Sequence, residues 1–166
     1  MIKKLKHKQE EYDGFKQKAL KRIMKYFEEN ESVDPVLFLK NKNGINKAVP
    51  LPPFMFASDF GKVTCSHLMK KILTVAGANM CCFITEAWQA KVKEDELPEE
   101  LDIPVRDRSD KKEILMLNFM HNDLEEEFMT FEIKREEDHP PTLEPSMIQS
   151  GFINEGKFDN LFNKSK

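Results

Sequence analysis

The sequence lacks the short motifs that identify several common enzyme classes. It has six glycines in 166 residues, and none of them forms the glycine-rich loop that cradles phosphate groups. The GxSxG motif of serine hydrolases and the HExxH motif of zinc peptidases are missing too. The longest apolar run, near residues 73–85, is far shorter than the roughly 20 residues of a membrane span. We therefore expect no phosphate-binding loop and no membrane partner.

Cysteine and histidine are also scarce, with three and four copies. Cys81 and Cys82 are adjacent, so on a strand they point to opposite faces, while Cys65 stands alone on a predicted helix. This spacing argues against a disulfide framework and against a zinc site. His121 and Asp123 can supply two metal ligands, but the sequence offers no third ligand beside them. We therefore expect neither a bound metal nor another cofactor.

The net charge of −3 is distributed unevenly along the chain. Lysines are frequent in the N-terminal segment, whereas residues 94–102 and 125–138 are acidic. Acidic surfaces repel phosphate groups, so this balance disfavours nucleic-acid binding, although the lysine-rich N-terminal helix leaves that alternative open. The basic N-terminus, MIKKLKHK, lacks the apolar core of a signal peptide, and we expect a cytoplasmic protein.

Two segments show the apolar periodicity of amphipathic helices. In residues 3–29 the apolar side chains recur every three or four positions, which predicts one long N-terminal helix. Residues 60–76 carry a second, narrower apolar face. Ser58 or Asp59 can cap its N-terminus, and Gly77 is suited to the position just beyond its C-terminus.

Strand-like segments fill most of the remaining sequence. Residues 36–40 and 45–51 predict a hairpin, and residues 80–92, 113–120 and 128–135 predict three further strands. We therefore predict an α+β fold with the element order α-β-β-α-β-β-β. Its centre is a mainly antiparallel sheet of about five strands, with the helices packed on one face.

The length of the chain suits a single domain with one core. We place that domain at residues 1–140. Prolines and glycines are frequent in residues 141–166, which predicts an irregular or short-helical C-terminal tail. Aromatic residues in this tail can pack onto the same chain or onto a second copy.

Glu86 is the most unusual residue of the predicted central strand, because it lies between Ile84 and Trp88 on an apolar face. A carboxylate there must be paired, protonated or solvated, since burying it alone would cost several kcal/mol. One interpretation is a general acid or base with a raised pKa. The other is a structural ion pair with Lys111, Lys112 or an arginine of the adjoining loop. Trp88 either lines a binding surface or belongs to the core.

The charged loop 106–113 is the second candidate for function. Arginine binds carboxylates and other anions bidentately, so the loop can form an anion site. The alternative is a solvated loop with internal salt bridges. Asp110 or Glu113 is the candidate partner of Glu86 in catalysis. The candidate binding residues are Trp88, Arg106, Arg108 and Lys111.

Residues 85–113 resemble a family of small bacterial and phage proteins without an established activity. In that family a strand ends in S/T-E-A-W and is followed by P-x-x-x-P-D-R-x-E and a hydrophobic strand. Residues 85–88 (TEAW) match the first motif, and Pro104, Asp110 and Glu113 match the second. Lys111 replaces the arginine of the pattern. The resemblance implies a bacterial or phage origin, and it groups the end of the strand with the 104–113 loop as one site.

These observations favour a small cytoplasmic binding or regulatory protein without catalysis, whose partner is another protein or a second copy of the chain. The alternative is a hydrolase that uses Glu86 with a carboxylate of residues 107–113, with or without a divalent cation. A third hypothesis is nucleic-acid association through the N-terminal helix.

Overall fold

The N-terminal segment forms the long helix that its periodicity predicts. In the computed structural model, which describes residues 2–90, 103–150 and 161–162, this helix is α1, Ile2–Asn30. Its stripe of buried side chains includes Tyr12, Phe15 and Ile23. Glu31, just beyond the helix, has a positive φ of 61°, and its N–H reaches the Phe27 carbonyl. The chain then turns towards the sheet.

The predicted hairpin and second helix follow. Strands β1, Val36–Asn41, and β2, Asn46–Pro50, pair antiparallel. Helix α2, Asp59–Ala76, begins where the Ser58 hydroxyl accepts the Gly61 N–H. It ends at Ala76, and the next residue, Gly77, caps it with a φ of 61°, in the left-handed region that favours glycine. No described helix combines the length and apolar character needed to span a membrane.

Four further strands complete the sheet: β3, Ala78–Gln89; β4, Lys112–His121; β5, Glu127–Glu136; and β6, His139–Ser150. All neighbours pair antiparallel, in the order β2-β1-β3-β4-β5-β6. The α+β class and the antiparallel sheet are therefore confirmed, with six strands rather than about five.

Strand β6 corrects the expectation for the C-terminal part of the chain. Residues 141–150 were expected to be irregular because they are rich in proline, but they belong to β6. The strand lies at the edge of the sheet, where a residue without an N–H can be accommodated on the unpaired side. Its register with β5 shifts between Thr130 and Phe131, where Phe131 pairs with Pro145. The other residues of the predicted tail lie outside the described part, except for residues 161–162.

The prediction that the helices pack on one face of the sheet is wrong. Side chains of α1 form one core with Met80 and Ile84 of β3. Side chains of α2 form a second core with Cys81 and Phe83. These two residues alternate with Met80 and Ile84 along β3, so they point to the opposite face of the sheet. Because β3 is apolar on both faces, each face needs its own cover. Leu161 also packs into the second core.

Candidate functional site

Three charged side chains meet on the α1 face of the sheet: Glu86 on β3, Glu113 on β4 and Arg135 on β5. The register pairs Glu86 with Leu115 and Glu113 with Trp88. Glu86 and Glu113 are therefore diagonal neighbours on one face of the β3–β4 pair, close enough for long side chains to interact. We call these three residues the carboxylate–arginine cluster.

Arg135 holds the cluster together. Its Nε donates to Glu113 Oε2 at 2.9 Å, and its Nη2 donates to Glu113 Oε1 at 3.0 Å, which is a bidentate pair. The same Nη2 lies 3.8 Å from Glu86 Oε2. Nη1 donates to the Glu31 carbonyl at 3.0 Å, so the guanidinium also holds the start of the α1–β1 linker, residues 31–35.

Glu86 ties the same linker to the sheet. Its Oε1 accepts a 2.6 Å hydrogen bond from the backbone N–H of buried Val33. Burial raises the pKa of the Glu86 carboxyl most strongly, and the Glu113 charge raises it further. The Val33 hydrogen bond and Arg135 act in the opposite direction, but the net shift is upward.

The geometry of the carboxylate–arginine cluster suits a structural ion-pair network better than general acid–base catalysis. A general acid or base must reach a substrate, yet one oxygen of Glu86 is engaged by Val33 and both oxygens of Glu113 are engaged by Arg135. The ion-pair interpretation of Glu86 therefore has the right kind of partner. That partner is Arg135 of β5, rather than a lysine or arginine of the 106–113 loop.

Arg135 was missed in the sequence, although a signal was present. Met129, Phe131 and Ile133 alternate on one face of the predicted strand 128–135. Extending this period of two by one step places Arg135 on the same face, at the strand end. A cation at the end of an apolar strand face can pair with carboxylates at the ends of the neighbouring strands on the same face of the sheet.

Trp88 lies next to this cluster and is half exposed, with 47% of its surface accessible. Lys111 Nζ lies 4.8 Å from the centroid of its ring, in the range of a cation–π contact. The same ammonium group donates to the Arg106 carbonyl. Ile103 and Val105 are exposed in the adjoining segment. We call Trp88, Ile103, Val105, Arg106 and Lys111 the Trp88 surface.

The remaining loop residues form local pairs. Arg108 binds Asp110 bidentately, with Nε–Oδ1 and Nη2–Oδ2 distances of 2.9 and 3.0 Å. Arg106 belongs to the 3-10 helix Val105–Asp107, which contacts β3, and its exposed guanidinium lies 3.7 Å from the Asp107 carboxylate. The structure thus brings Glu86 to Glu113 and Trp88 to Lys111, and it places Asp110 in a separate pair with Arg108.

The metal ligands considered in the sequence have other contacts. His121 is buried, and its Nδ1 accepts the Asp123 N–H at 2.9 Å. The Asp123 carboxylate pairs with Lys8, which holds its pKa below the usual value. Within the described residues, no group of three or more histidine, cysteine, aspartate or glutamate side chains is placed to hold a metal ion.

Several lysines of α1 are paired with acids. Lys8 binds Asp123, and Lys16 binds both Asp13 and Glu127. These pairs neutralise part of the positive charge that suggested a phosphate-binding helix.

The chain matches no known family model. Comparison with curated proteins gives no match, and comparison with solved structures gives none either.

Proposed function

We propose that this chain is a small cytoplasmic binding protein that contacts another protein through the Trp88 surface. The observation that carries the proposal is the half-exposed indole of Trp88, the only tryptophan of the chain, at the end of the central strand. Tryptophan is enriched among the residues that contribute most to protein–protein affinity. An indole that can be covered by a partner supplies a large apolar contact area.

The surroundings of Trp88 support this assignment. The indole lies on the paired strands β3 and β4, and Lys111 keeps a cation over its ring. Ile103 and Val105 add exposed apolar area, and the exposed Arg106 side chain adds positive charge. An apolar centre with cations beside it suits a partner surface that combines apolar and acidic side chains.

The test uses the intact protein as bait in cells that encode it. Wild-type protein, Trp88→Ala and Lys111→Glu are compared by quantitative affinity capture, and their self-association is measured by sedimentation velocity. Val75→Ala is the matched control, because Val75 is an exposed apolar residue of α2 outside the Trp88 surface. We expect both surface variants to lose a partner, or a second copy, that the control retains.

The proposal fails if every captured protein and the sedimentation profile are the same for all four proteins. It fails equally if Val75→Ala loses the partner to the same degree. Circular dichroism of each variant separates loss of binding from loss of folding. The half-exposed position of Trp88 makes its replacement compatible with folding.

The raised pKa of Glu86 and its adjacency to Glu113 favour a second candidate, a carboxylate hydrolase. In that case Glu86→Gln abolishes hydrolysis of a panel of esters, phosphoesters and peptides, while the amide still accepts the Val33 N–H and preserves the fold. Absence of hydrolysis by the wild-type protein, or its survival in Glu86→Gln, eliminates this candidate. The engagement of both carboxylates by Arg135 makes it the weaker proposal.

Two further proposals rest on the sequence. The TEAW motif and the loop after it support a bacterial or phage origin. The lysines of α1 support nucleic-acid association, which must weaken steeply as salt concentration rises. Binding that is absent or insensitive to salt excludes it.

A further inference from the structure

A groove runs between α1 and the β1–β2 hairpin, and Trp88 is not among the described residues that line it. It consists of two adjoining cavities of about 360 and 200 Å³, which share Arg22 of α1 and Phe38 of β1. The larger one has the size of a small-molecule site. The groove exists because α1 lies over the sheet without closing over the hairpin at its edge.

The smaller cavity carries three cations, Lys18 and Arg22 from α1 and Lys47 from β2, and none of the described residues that line it is acidic. None of the three forms an ion pair with a described residue. The only partner that the described residues offer to Arg22 is the Phe38 ring, whose centroid lies 5.5 Å from the guanidinium carbon. Lys8, Lys16 and Lys25 of α1 have carboxylate partners, whereas Lys18, Arg22 and Lys47 have none among the described residues. This part of the groove therefore has an excess of positive charge.

The larger cavity is mainly apolar. Its lining includes Ile23 of α1, Val36 and Phe38 of β1, and Ala48 and Pro50 of β2. Ile23 is fully covered within the core, whereas Val36 and Phe38 are only partly covered and present apolar surface to the groove. An apolar cavity continuous with a cationic one fits a ligand that has both characters.

We propose that the groove binds a small amphiphilic carboxylate. Its carboxylate group contacts Arg22, Lys18 and Lys47, and its apolar body lies over Phe38 in the larger cavity. Guanidinium binds carboxylate through paired hydrogen bonds, and the apolar body is held by removal of its surface from water. Asp34 is the one acid among the described residues that line the larger cavity, and its negative charge keeps the carboxylate away from that end of the groove.

Decanoate and decanol, which share an apolar body and differ in head group, are the probes. Both are titrated into the full chain below the concentration at which decanoate forms micelles. Binding is followed by isothermal calorimetry and by amide chemical shifts. We expect decanoate to shift amides of α1, β1 and β2 around the groove. Decanol binds at least about tenfold more weakly, since hydrogen bonds to a charged group contribute substantially.

Variants locate the two halves of the ligand. Arg22→Gln weakens decanoate binding about tenfold and leaves decanol binding unchanged, since a lost charged contact affects only the carboxylate. Lys25→Gln is the matched control, because it removes one charge from the same helix at an exposed position outside the groove. Ala48→Trp fills the apolar cavity and abolishes binding of both probes.

Three results overturn the proposal. The first is equal affinity for decanol and decanoate, and the second is an equal effect of Arg22→Gln and Lys25→Gln. The third is the absence of chemical-shift changes around the groove.

A separate experiment tests other occupants with vesicles of anionic phospholipid. Binding to vesicles without binding to free decanoate assigns the groove to a membrane surface instead, and decanoate-independent self-association assigns it to a second copy. The Trp88→Ala variant keeps decanoate binding, which separates this proposal from the proposed function.

Discussion

Replacing Glu86 tests whether this carboxylate acts chiefly as a hydrogen-bond acceptor for the α1–β1 linker. In Glu86→Ala the buried Val33 N–H loses its partner, and an unsatisfied buried donor costs about 1–3 kcal/mol. In Glu86→Gln the side-chain carbonyl can still accept that N–H. We therefore expect Glu86→Ala to lower the free energy of unfolding at pH 7 by about 1–3 kcal/mol relative to Glu86→Gln.

The pH dependence has a definite sign. The pKa of Glu86 is raised in the folded state above its ordinary value of 4.5, so the folded protein binds this proton more tightly than the unfolded chain does. Ionisation therefore lowers stability as pH rises from about 4.5 through the folded pKa. Glutamine does not titrate, so the stability of Glu86→Gln relative to wild type must increase over the same interval.

Urea unfolding followed by circular dichroism between pH 4 and 8 measures both effects. Glu28→Gln is the control, since this exposed residue of α1 lies outside the carboxylate–arginine cluster. Equal losses in Glu86→Gln and Glu86→Ala at pH 7 would refute the assignment of the hydrogen bond to Val33. A relative stability of Glu86→Gln that falls with rising pH would refute the upward pKa shift, and would mean that Arg135 dominates over burial.

Four other substitutions test packing and exposure in thermal and urea unfolding. Tyr12→Phe leaves stability unchanged or raises it by about 1 kcal/mol, because the buried Oη has no hydrogen-bond partner among the described residues. Gly14→Ala raises stability by about 0.5–1 kcal/mol, since open space surrounds this helical glycine. Gly61→Ala lowers it by about 1–3 kcal/mol, because the new Cβ would lie 2.4 Å from the Met55 carbonyl oxygen. Trp88→Ala lowers it by no more than about 1 kcal/mol, and iodide quenches the wild-type tryptophan fluorescence.

Each of these expectations can be contradicted by one result. A loss above about 1 kcal/mol in Tyr12→Phe would indicate that the hydroxyl makes a stabilising bond. Equal effects of Gly14→Ala and Gly61→Ala would remove the argument from the Met55 contact. Protection of the fluorescence from iodide would place the indole in the core and would remove the observation on which the proposed function rests.

The sequence predicted most of the fold because local patterns and packing agree. The period of three to four residues located both helices, and Ser58 and Gly77 marked the ends of α2 as expected. The edge strand β6 was missed because proline frequency was weighed without knowing which strand lies at the edge. Residues 80–84 are apolar on both faces of the strand, which predicts a helix on each face of the sheet. The prediction of helices on one face did not take this into account.

The candidate site was predicted less well, because pairing across strands depends on register. Glu86 was identified as a residue that needs a partner, yet its two partners, Val33 and Arg135, are distant in sequence. The diagonal placement of Glu113 follows only once Trp88 is known to pair with it. The groove left no signal at all, since it depends on the position of α1 over the hairpin rather than on any local pattern.

The carboxylate–arginine cluster and the groove share one structural element, the α1–β1 linker. Val33, held by Glu86, and the following Asp34 and Pro35 line the larger cavity, while Arg135 holds the carbonyl of Glu31 at the start of the linker. The carboxylate–arginine cluster therefore attaches to the sheet the linker residues that line one end of the groove. We expect Glu86→Ala to weaken decanoate binding, although it removes no group that contacts the ligand. We expect Glu86→Gln to leave decanoate binding unchanged. A groove that binds equally well in both variants would show that α1 and the hairpin alone maintain its shape.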